Sequence, residues 1–320
     1  MREPLIVTEG IGMCEEAALY VPERLTPQTP VLLMLHGMWA RRTRWDRFGP
    51  FFSKHGFLAV APTYRYHEKY NQYDPIGSKL GKTSTLDYVA DAESVARALY
   101  CGKLLDGFIP SQPPIVMGHS LSGLVSRFYA SCYPVSAVIP ACSAPDAGQS
   151  LYQNKDYQKR ARKNALKILR GKPFKPDVDS YSLYILNGML EGLAPAEQER
   201  LRRSLYDAAV YESGTAAREV LAGSSAGLPR LLAQIGSRPI FIEAQNIRSP
   251  MLIIGGEIDR VTPPQIARDL YEKYRDWANP CDVHIFEKTA HWFQYEPGWE
   301  ARAEFILDWI NRNVLSPSHN

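Results

Sequence analysis

Ser120, Asp259 and His291 are the residues of this chain whose types and order could do chemistry together. A serine hydroxyl is a weak nucleophile until a base takes its proton, and that base needs a third group to hold its ring. Serine, acid and histidine, in that order along the chain, is one of the recurring arrangements. The chemistry would be acyl transfer, with Ser120 attacking a carbonyl, His291 as base and Asp259 orienting and stabilising the imidazole.

Each of the three falls where a strand should end. The apolar run Ile115-Val116-Met117-Gly118 leads into His119-Ser120-Leu121-Ser122-Gly123, and a helical pattern over Leu121–Tyr133 follows at once. A sharp strand-to-helix turn of this kind exposes its serine and leaves room only for small residues two before and two after it. Here these are Gly118 and Ser122, the second one size larger than the glycine of G-x-S-x-G. Asp259 follows the run Met251–Gly255 in a turn that opens the next helix, with Glu257 as the competing acid. His291 lies in the loop after Val283–Phe286.

A fourth part comes from Val31–His36, the most apolar run, which ends in His36-Gly37-Met38-Trp39. A glycine-containing loop at that place supplies one backbone N–H to a developing oxyanion, and the residue after the nucleophile supplies the other. Met38 and Leu121 are the expected donors. His36 and His119 precede the reactive positions and read as structural hydrogen-bonding groups. His55, His67 and His284 read as solvent or packing residues.

The elements that must position these groups alternate in type. Strands are predicted at Leu5–Ile11, Glu15–Val21, Val31–His36, Leu58–Pro62, Ile115–Gly118, Ala137–Pro140, Met251–Gly255 and Val283–Phe286. Helical periodicity separates most of them, clearest over Leu86–Tyr100, where Val89, Ala92, Val95, Ala96 and Leu99 share a face. A closing helix is expected after Pro297. Such alternation predicts an α/β fold with a mostly parallel eight-stranded sheet flanked by helices.

His36-Gly37, the Gly118-His119-Ser120-Leu121-Ser122-Gly123 elbow, Gly255-Gly256-Glu257-Ile258-Asp259 and Ala290-His291 resemble the α/β-hydrolase superfamily. The likeness spans about residues 15–145 and 249–315. Within it, Trp45-Asp46-Arg47-Phe48-Gly49-Pro50-Phe51-Phe52 and Asp87-Tyr88-Val89-Ala90-Asp91 are similar to bacterial carboxylesterase and lysophospholipase-like enzymes. The resemblance implies a serine hydrolase acting on esters, amides or thioesters without metal or organic cofactor. C–C bond hydrolases, lyases and cofactor-free perhydrolases share the same three residues, and a non-catalytic binding module on this fold is the reading from a different class. Serine rather than aspartate at position 120 argues against the haloalkane dehalogenase and epoxide hydrolase branches.

One region breaks the alternation. Between about residues 146 and 248 helical patterns dominate, at Tyr157–Leu169, Ala194–Val210, Ala216–Leu221 and Leu228–Ile235, with Pro239–Ile242 ambiguous. We expect a helical cap there, over a core made of residues 1–145 and 249–320. Its first helix is basic (Lys155, Lys159, Arg160, Arg162, Lys163, Lys167, Arg170), which suits a solvated face or attraction of an acidic substrate or carrier protein. The tyrosine-rich run from Tyr64 to Tyr73 is expected to border the pocket, so Tyr64 and Tyr66, with Trp39 and Trp292, are candidate substrate contacts. A small apolar or aromatic ester is the expected substrate.

Composition sets the outer bounds. With 320 residues, 45% hydrophobic and 22% charged, the chain reads as an ordinary globular protein. A net charge of +3 on this length gives no argument for nucleic acid or a membrane surface, and no apolar run approaches a membrane span. The five cysteines lack C-x-x-C spacing, so free thiols in a reducing cytoplasm are expected, without metal. No signal-peptide pattern opens the sequence. Nothing in it decides between a monomer and a homo-oligomer.

Overall fold

The β-branched and leucine-rich runs form eight strands: β1 Leu5–Val7, β2 Glu16–Tyr20, β3 Val31–Leu35, β4 Leu58–Thr63, β5 Ile115–His119, β6 Ala137–Ala141, β7 Met251–Gly256 and β8 Cys281–Phe286. The structure, a computed structural model, describes residues 3–67, 76–146, 162–190, 192–223 and 240–316. The strands make one sheet in the order β1-β2-β4-β3-β5-β6-β7-β8. β1 with β2 and β2 with β4 are antiparallel, and every pairing from β4 to β8 is parallel. The expected mostly parallel sheet is therefore present. The first strand stops at Val7 rather than Ile11, because Gly10 and Gly12 adopt positive φ values of 74° and 67° and turn the chain away.

Helices cover both faces: α1 Phe48–Lys54, α2 Ile76–Gly81, α3 Thr85–Tyr100, α4 Leu121–Cys132, α5 Ala165–Leu169, α6 Val178–Tyr184, α7 Asn187–Leu190, α8 Pro195–Asp207, α9 Gly214–Gly223, α10 Pro264–Tyr274 and α11 Trp299–Ile310. Strands β3 to β7 are buried at every position because both of their faces are covered. Leu33 and Leu35 of β3 join Tyr88, Val95 and Leu99 of α3 and Val125 of α4. Leu32 and Met34, pointing the other way, join Phe48 and Phe52 of α1 and Ile306 and Ile310 of α11.

α3 starts where the sequence supplies a stop and a cap. The Ser84 hydroxyl accepts the Leu86 N–H at 3.1 Å, and the Asp87 carboxylate accepts the Ser84 N–H at 2.8 Å. Two free N-terminal donors are thereby satisfied.

Helices α5 to α9 occupy the long stretch between β6 and β7. Of the expected Tyr157–Leu169 helix, a 3-10 turn at Arg162–Asn164 and α5 are seen, and residues 157–161 lie outside the described residues. The Leu228–Ile235 pattern, residues 68–73 of the tyrosine-rich run, and Lys155, Lys159 and Arg160 also lie outside them. Ile240–Ile242 forms no strand. Ile240 and Ile242 instead pack against Val138, Met251 and Ile253. α6 and α7 carried no pattern strong enough to read from sequence; the Asp177 carboxylate caps α6 by accepting the Ser180 N–H at 2.9 Å. These helices sit against the loops at the strands' carboxyl ends. Val210 N–H donates to the Trp39 carbonyl at 3.1 Å, and Asn187 Nδ2 donates to the Ile258 carbonyl at 3.1 Å. Among the described residues no helix is long and apolar enough to cross a membrane.

Candidate active site

The parallel strands all point one way, so the loops after β3, β5, β6, β7 and β8 share one edge of the sheet. Ser120 follows β5 immediately, with φ 57° and ψ −120°, a strained backbone for a residue with a side chain. The turn can be made because Gly118 has no Cβ: one placed there would collide with the Ser122 carbonyl. The oxyanion loop comes equally close, since a Cβ on Gly37 would lie 2.8 Å from the Ser120 Cβ. Glycine is thus required at 118 and 37, and not at 122.

Ser122 earns its size by bonding. Its hydroxyl donates to the His36 carbonyl, and the Tyr64 hydroxyl lies 2.7 Å from the same oxygen. Tyr64 is only 1% exposed and stacks on Tyr88 at 4.7 Å between ring centroids. It braces the elbow from below instead of bordering a pocket entrance. Tyr66 is half-buried at φ 61°, its N–H donating to Glu15 Oε1 at 2.7 Å.

His291 Nε2 lies 3.0 Å from Ser120 Oγ, and His291 Nδ1 lies 2.8 Å from Asp259 Oδ2. The carboxylate can only accept, so Nδ1 carries the proton and Nε2 is free to accept from the serine. Asp259 Oδ1 takes the N–H groups of Val261 and Thr262 at 2.8 and 2.9 Å, and the Thr262 hydroxyl lies 2.8 Å from Oδ2. Burial pushes the Asp259 carboxyl up, but His291 and the bonds from Thr262 outweigh it and hold the group below its ordinary range. Glu257 takes a different place, its carboxylate accepting the Lys288 N–H at 2.8 Å.

The loop bearing His291 is fixed by a residue that sequence reading passed over. The Glu296 carboxylate accepts the N–H groups of Ala290 and Trp292, each at 2.8 Å, clamping the backbone on both sides of the imidazole. Arg302 closes the turn behind it, donating to the Phe293 carbonyl at 2.6 Å and to the Glu296 carbonyl at 2.9 Å. The only signal in the sequence was an acid five residues after the histidine.

The two histidines expected to be structural are so. His36 donates from Nδ1 to the Gly37 carbonyl at 2.9 Å and accepts the Tyr64 N–H on Nε2 at 3.2 Å. Burial and the neighbouring His67 hold it neutral, well below its usual range. His119 is pushed down to about 3 by burial and by His291. His67, expected as a packing or solvent residue, is fully buried with Nε2 3.1 Å from Glu212 Oε2. Glu212 lies in the segment between α8 and α9 and also accepts the Tyr88 hydroxyl at 2.6 Å.

Met38, an expected donor, follows Gly37 in the loop after β3, and Leu121, the other, follows Ser120 directly. Leu121 opens α4, so its N–H is one of the free donors of a helix's first turn. Trp39, at φ 58°, stands edge-on to Phe174 at 5.6 Å, and Trp292 lies under Arg44, whose guanidinium carbon is 4.0 Å from the ring centroid.

One cluster of possible metal ligands exists among the described residues: a Cys142 thiol, an Asp259 oxygen and a His291 nitrogen within 4.8 Å of one another. Burial pushes the Cys142 thiol well up. Binding a metal there would also break the Asp259–His291 bond. All five cysteines are free.

A profile described as the alpha/beta hydrolase family matches residues 32–303. The chain belongs to this family. No curated protein matches it. Among solved structures, a hydrolase from Pseudomonas aeruginosa PA01 shares 16% identity over 97% of this chain and 98% of its own, with a TM-score of 0.61. A thermophilic esterase from Thermogutta terrifontis shares 14% over 98% and 100%, with a TM-score of 0.60. A monoacylglycerol lipase from Paleococcus ferrophilus shares 20% over 92% and 97%, with a TM-score of 0.56. At these identities the likeness is one of fold.

Proposed function

We propose that this α/β-hydrolase family member is a serine carboxylesterase that works through an acyl-enzyme. The observation that carries the reading is His291, whose Nε2 faces Ser120 Oγ at 3.0 Å while its Nδ1 faces the Asp259 carboxylate Oδ2 at 2.8 Å. His291 Nε2 takes the serine proton as Ser120 Oγ attacks the ester carbonyl. The oxyanion accepts the N–H groups of Met38 and Leu121. His291 then gives the proton to the departing alcohol, and water, activated by the same nitrogen, releases the acid. Two backbone donors set before charge develops lower the barrier by several kcal/mol, and losing one raises it by about 3–4 kcal/mol.

The helices of residues 146–248 serve as a cap that shapes the pocket between themselves and the sheet edge, and a small apolar or aromatic ester is the proposed substrate. Trp39 and Trp292, packed among Tyr181, Ile185, Leu186 and Met189, support that reading. Five unpaired thiols suit a reducing cytoplasm. Labelling with a fluorophosphonate, followed by intact mass and peptide mapping, tests the mechanism. One adduct per chain on Ser120 is expected. Labelling elsewhere, or none with the folded protein, would overturn it.

A further inference from the structure

Arg44 is 94% buried, at 6% relative exposure, in the 3-10 turn Arg42–Trp45 that follows the oxyanion loop. Burying a guanidinium away from water is unfavourable unless a counter-charge accompanies it. The other buried arginines have that support: Arg127 bonds Asp146, and Arg302 faces Glu296 and three carbonyls or hydroxyls. Arg44 is ion-paired with no carboxylate among the described residues, and its Nε has no hydrogen-bond partner. It lies on the face of Trp292, the residue after His291, and within hydrogen-bonding reach of the Tyr181 hydroxyl, a neutral group.

Two more buried donors beside it are equally unsatisfied. The Trp39 indole N–H has no partner among the described residues, and the Tyr181 hydroxyl of α6, beside Arg44, donates its own proton to none of them. Both side chains belong to the same apolar cluster as Trp292. The Tyr181 and Trp292 rings are 5.9 Å apart between centroids. Burial pushes the Tyr181 phenol up to about 12, and the charge of Arg44 and its hydrogen bond to the phenol oxygen work against that shift. Arg44 also reaches toward the reacting end, adding to the depression of His36 and His119 that burial begins. A second cation, Lys175, feels the same guanidinium and is held by the carbonyls of Tyr206 and Ala209 at 2.7 Å each.

A guanidinium, an indole N–H and a phenol around one apolar cluster form a set able to donate three ways. The group that satisfies it offers acceptors only and carries negative charge. A carboxylate does so, and its plane suits a guanidinium already held flat on an indole. We infer that the substrate is an anionic ester whose free carboxylate binds Arg44, with Trp39 and Tyr181 completing its shell. The inference rests on the esterase reading above and narrows its substrate from apolar esters to half-esters with an apolar or aromatic body.

The test compares matched pairs in the wild-type protein. Mono-p-nitrophenyl glutarate and its methyl ester place the charge on the acyl side, whereas 3-carboxyphenyl butyrate and its methyl ester place it on the alcohol side. In at least one pair kcat/KM should favour the charged ester at least tenfold. Arg44→Gln should cut the charged rate at least thirtyfold and the neutral rate less than threefold, with Arg44→Lys between. Glutarate, but not dimethyl glutarate, should raise the wild-type melting temperature, a readout that needs neither turnover nor a variant. Preference for the neutral ester in both pairs, with no protection by glutarate, would overturn the proposal while leaving the esterase intact. Protection by glutarate with no hydrolysis of any ester and no labelling of Ser120 would keep the carboxylate site and remove the esterase.

Discussion

The Nε2 of His119 donates to the main-chain carbonyl of His291 at 2.7 Å, so the residue before the serine holds the loop that bears its base. β5 and the loop after β8 are not neighbours in the sheet, and this bond sets the height of the imidazole over the serine. A His119 kept neutral at about 3 retains that geometry across the whole working range of pH.

His119→Ala should therefore lower kcat on the order of tenfold or more, because small misplacements at the reacting centre are costly. His119→Gln keeps a donor near the same point and should recover part of the loss. Steady-state kinetics beside thermal melting separates this from simple destabilisation. Equal kcat in the alanine variant and the wild type would mean that the loop is positioned by Glu296 alone.

Ser120→Ala and His291→Ala should each abolish measurable ester hydrolysis, to similar extents, because the members of such a unit do not contribute additively. Asp259→Asn should cost on the order of 10⁴ in turnover through the wrong imidazole tautomer. Glu257→Gln should cost less than threefold, as its carboxylate caps the Lys288 N–H away from the imidazole. Initial rates on p-nitrophenyl acetate decide the ranking, and a larger loss at 257 than at 259 would reverse the assignment of the acid.

The elbow, the order of the three residues and the parallel sheet were legible because each depends on a local rule: apolar runs, a turn that needs small residues, a helix that begins at once. What closes the site from the far side was not. Glu212 bonds His67 across 145 positions, and Glu219 accepts the Ser84 hydroxyl at 2.8 Å and the Thr85 N–H at 2.7 Å at the start of α3. Neither partner has any marker within its own segment, since a buried carboxylate in a helical stretch reads like a surface one. Arg44 was hidden for the same reason, standing in a run of four arginines between residues 41 and 47. Tyr64 was placed correctly at a strand's carboxyl end, but its direction depends on Ser122 and Tyr88, which only the tertiary fold brings to it.

Restoring the regular motif should weaken the protein. Ser122→Gly removes the oxygen that pairs with the buried Tyr64 hydroxyl and the donor to the His36 carbonyl. An unsatisfied buried polar group costs about 1–3 kcal/mol. We expect a loss of that size by urea denaturation, and recovery of about half of it in the double variant Ser122→Gly/Tyr64→Phe, which no longer strands the phenol. A Ser122→Gly protein as stable as the parent would show that the Tyr64 hydroxyl has another partner.

The His67–Glu212 pair gives the assembly of the 146–248 helices on the sheet a pH dependence of definite sign. Burial lowers the His67 imidazole, but Glu212 outweighs it and leaves the group raised above its ordinary value of about 6.5. A raised histidine contributes stability that is fully present below its unfolded value and is lost as pH rises through the folded one. Tyr64 and Tyr88 face the ring as aromatic neighbours, and Asp91 adds negative charge in the same direction as Glu212. The pair's contribution to unfolding free energy, read as the difference between the parent and Glu212→Gln, should therefore fall from pH 6 toward pH 9, against the opposite slope that the depressed His36 and His119 give to both proteins. The loss in Glu212→Gln should be largest at pH 6, about 3 kcal/mol, the scale for breaking a buried pair by removing one partner, and should shrink toward pH 9. Denaturant melts at pH 6, 7, 8 and 9 supply the measurement, and parallel pH profiles for parent and variant would show that this pair does not govern the docking.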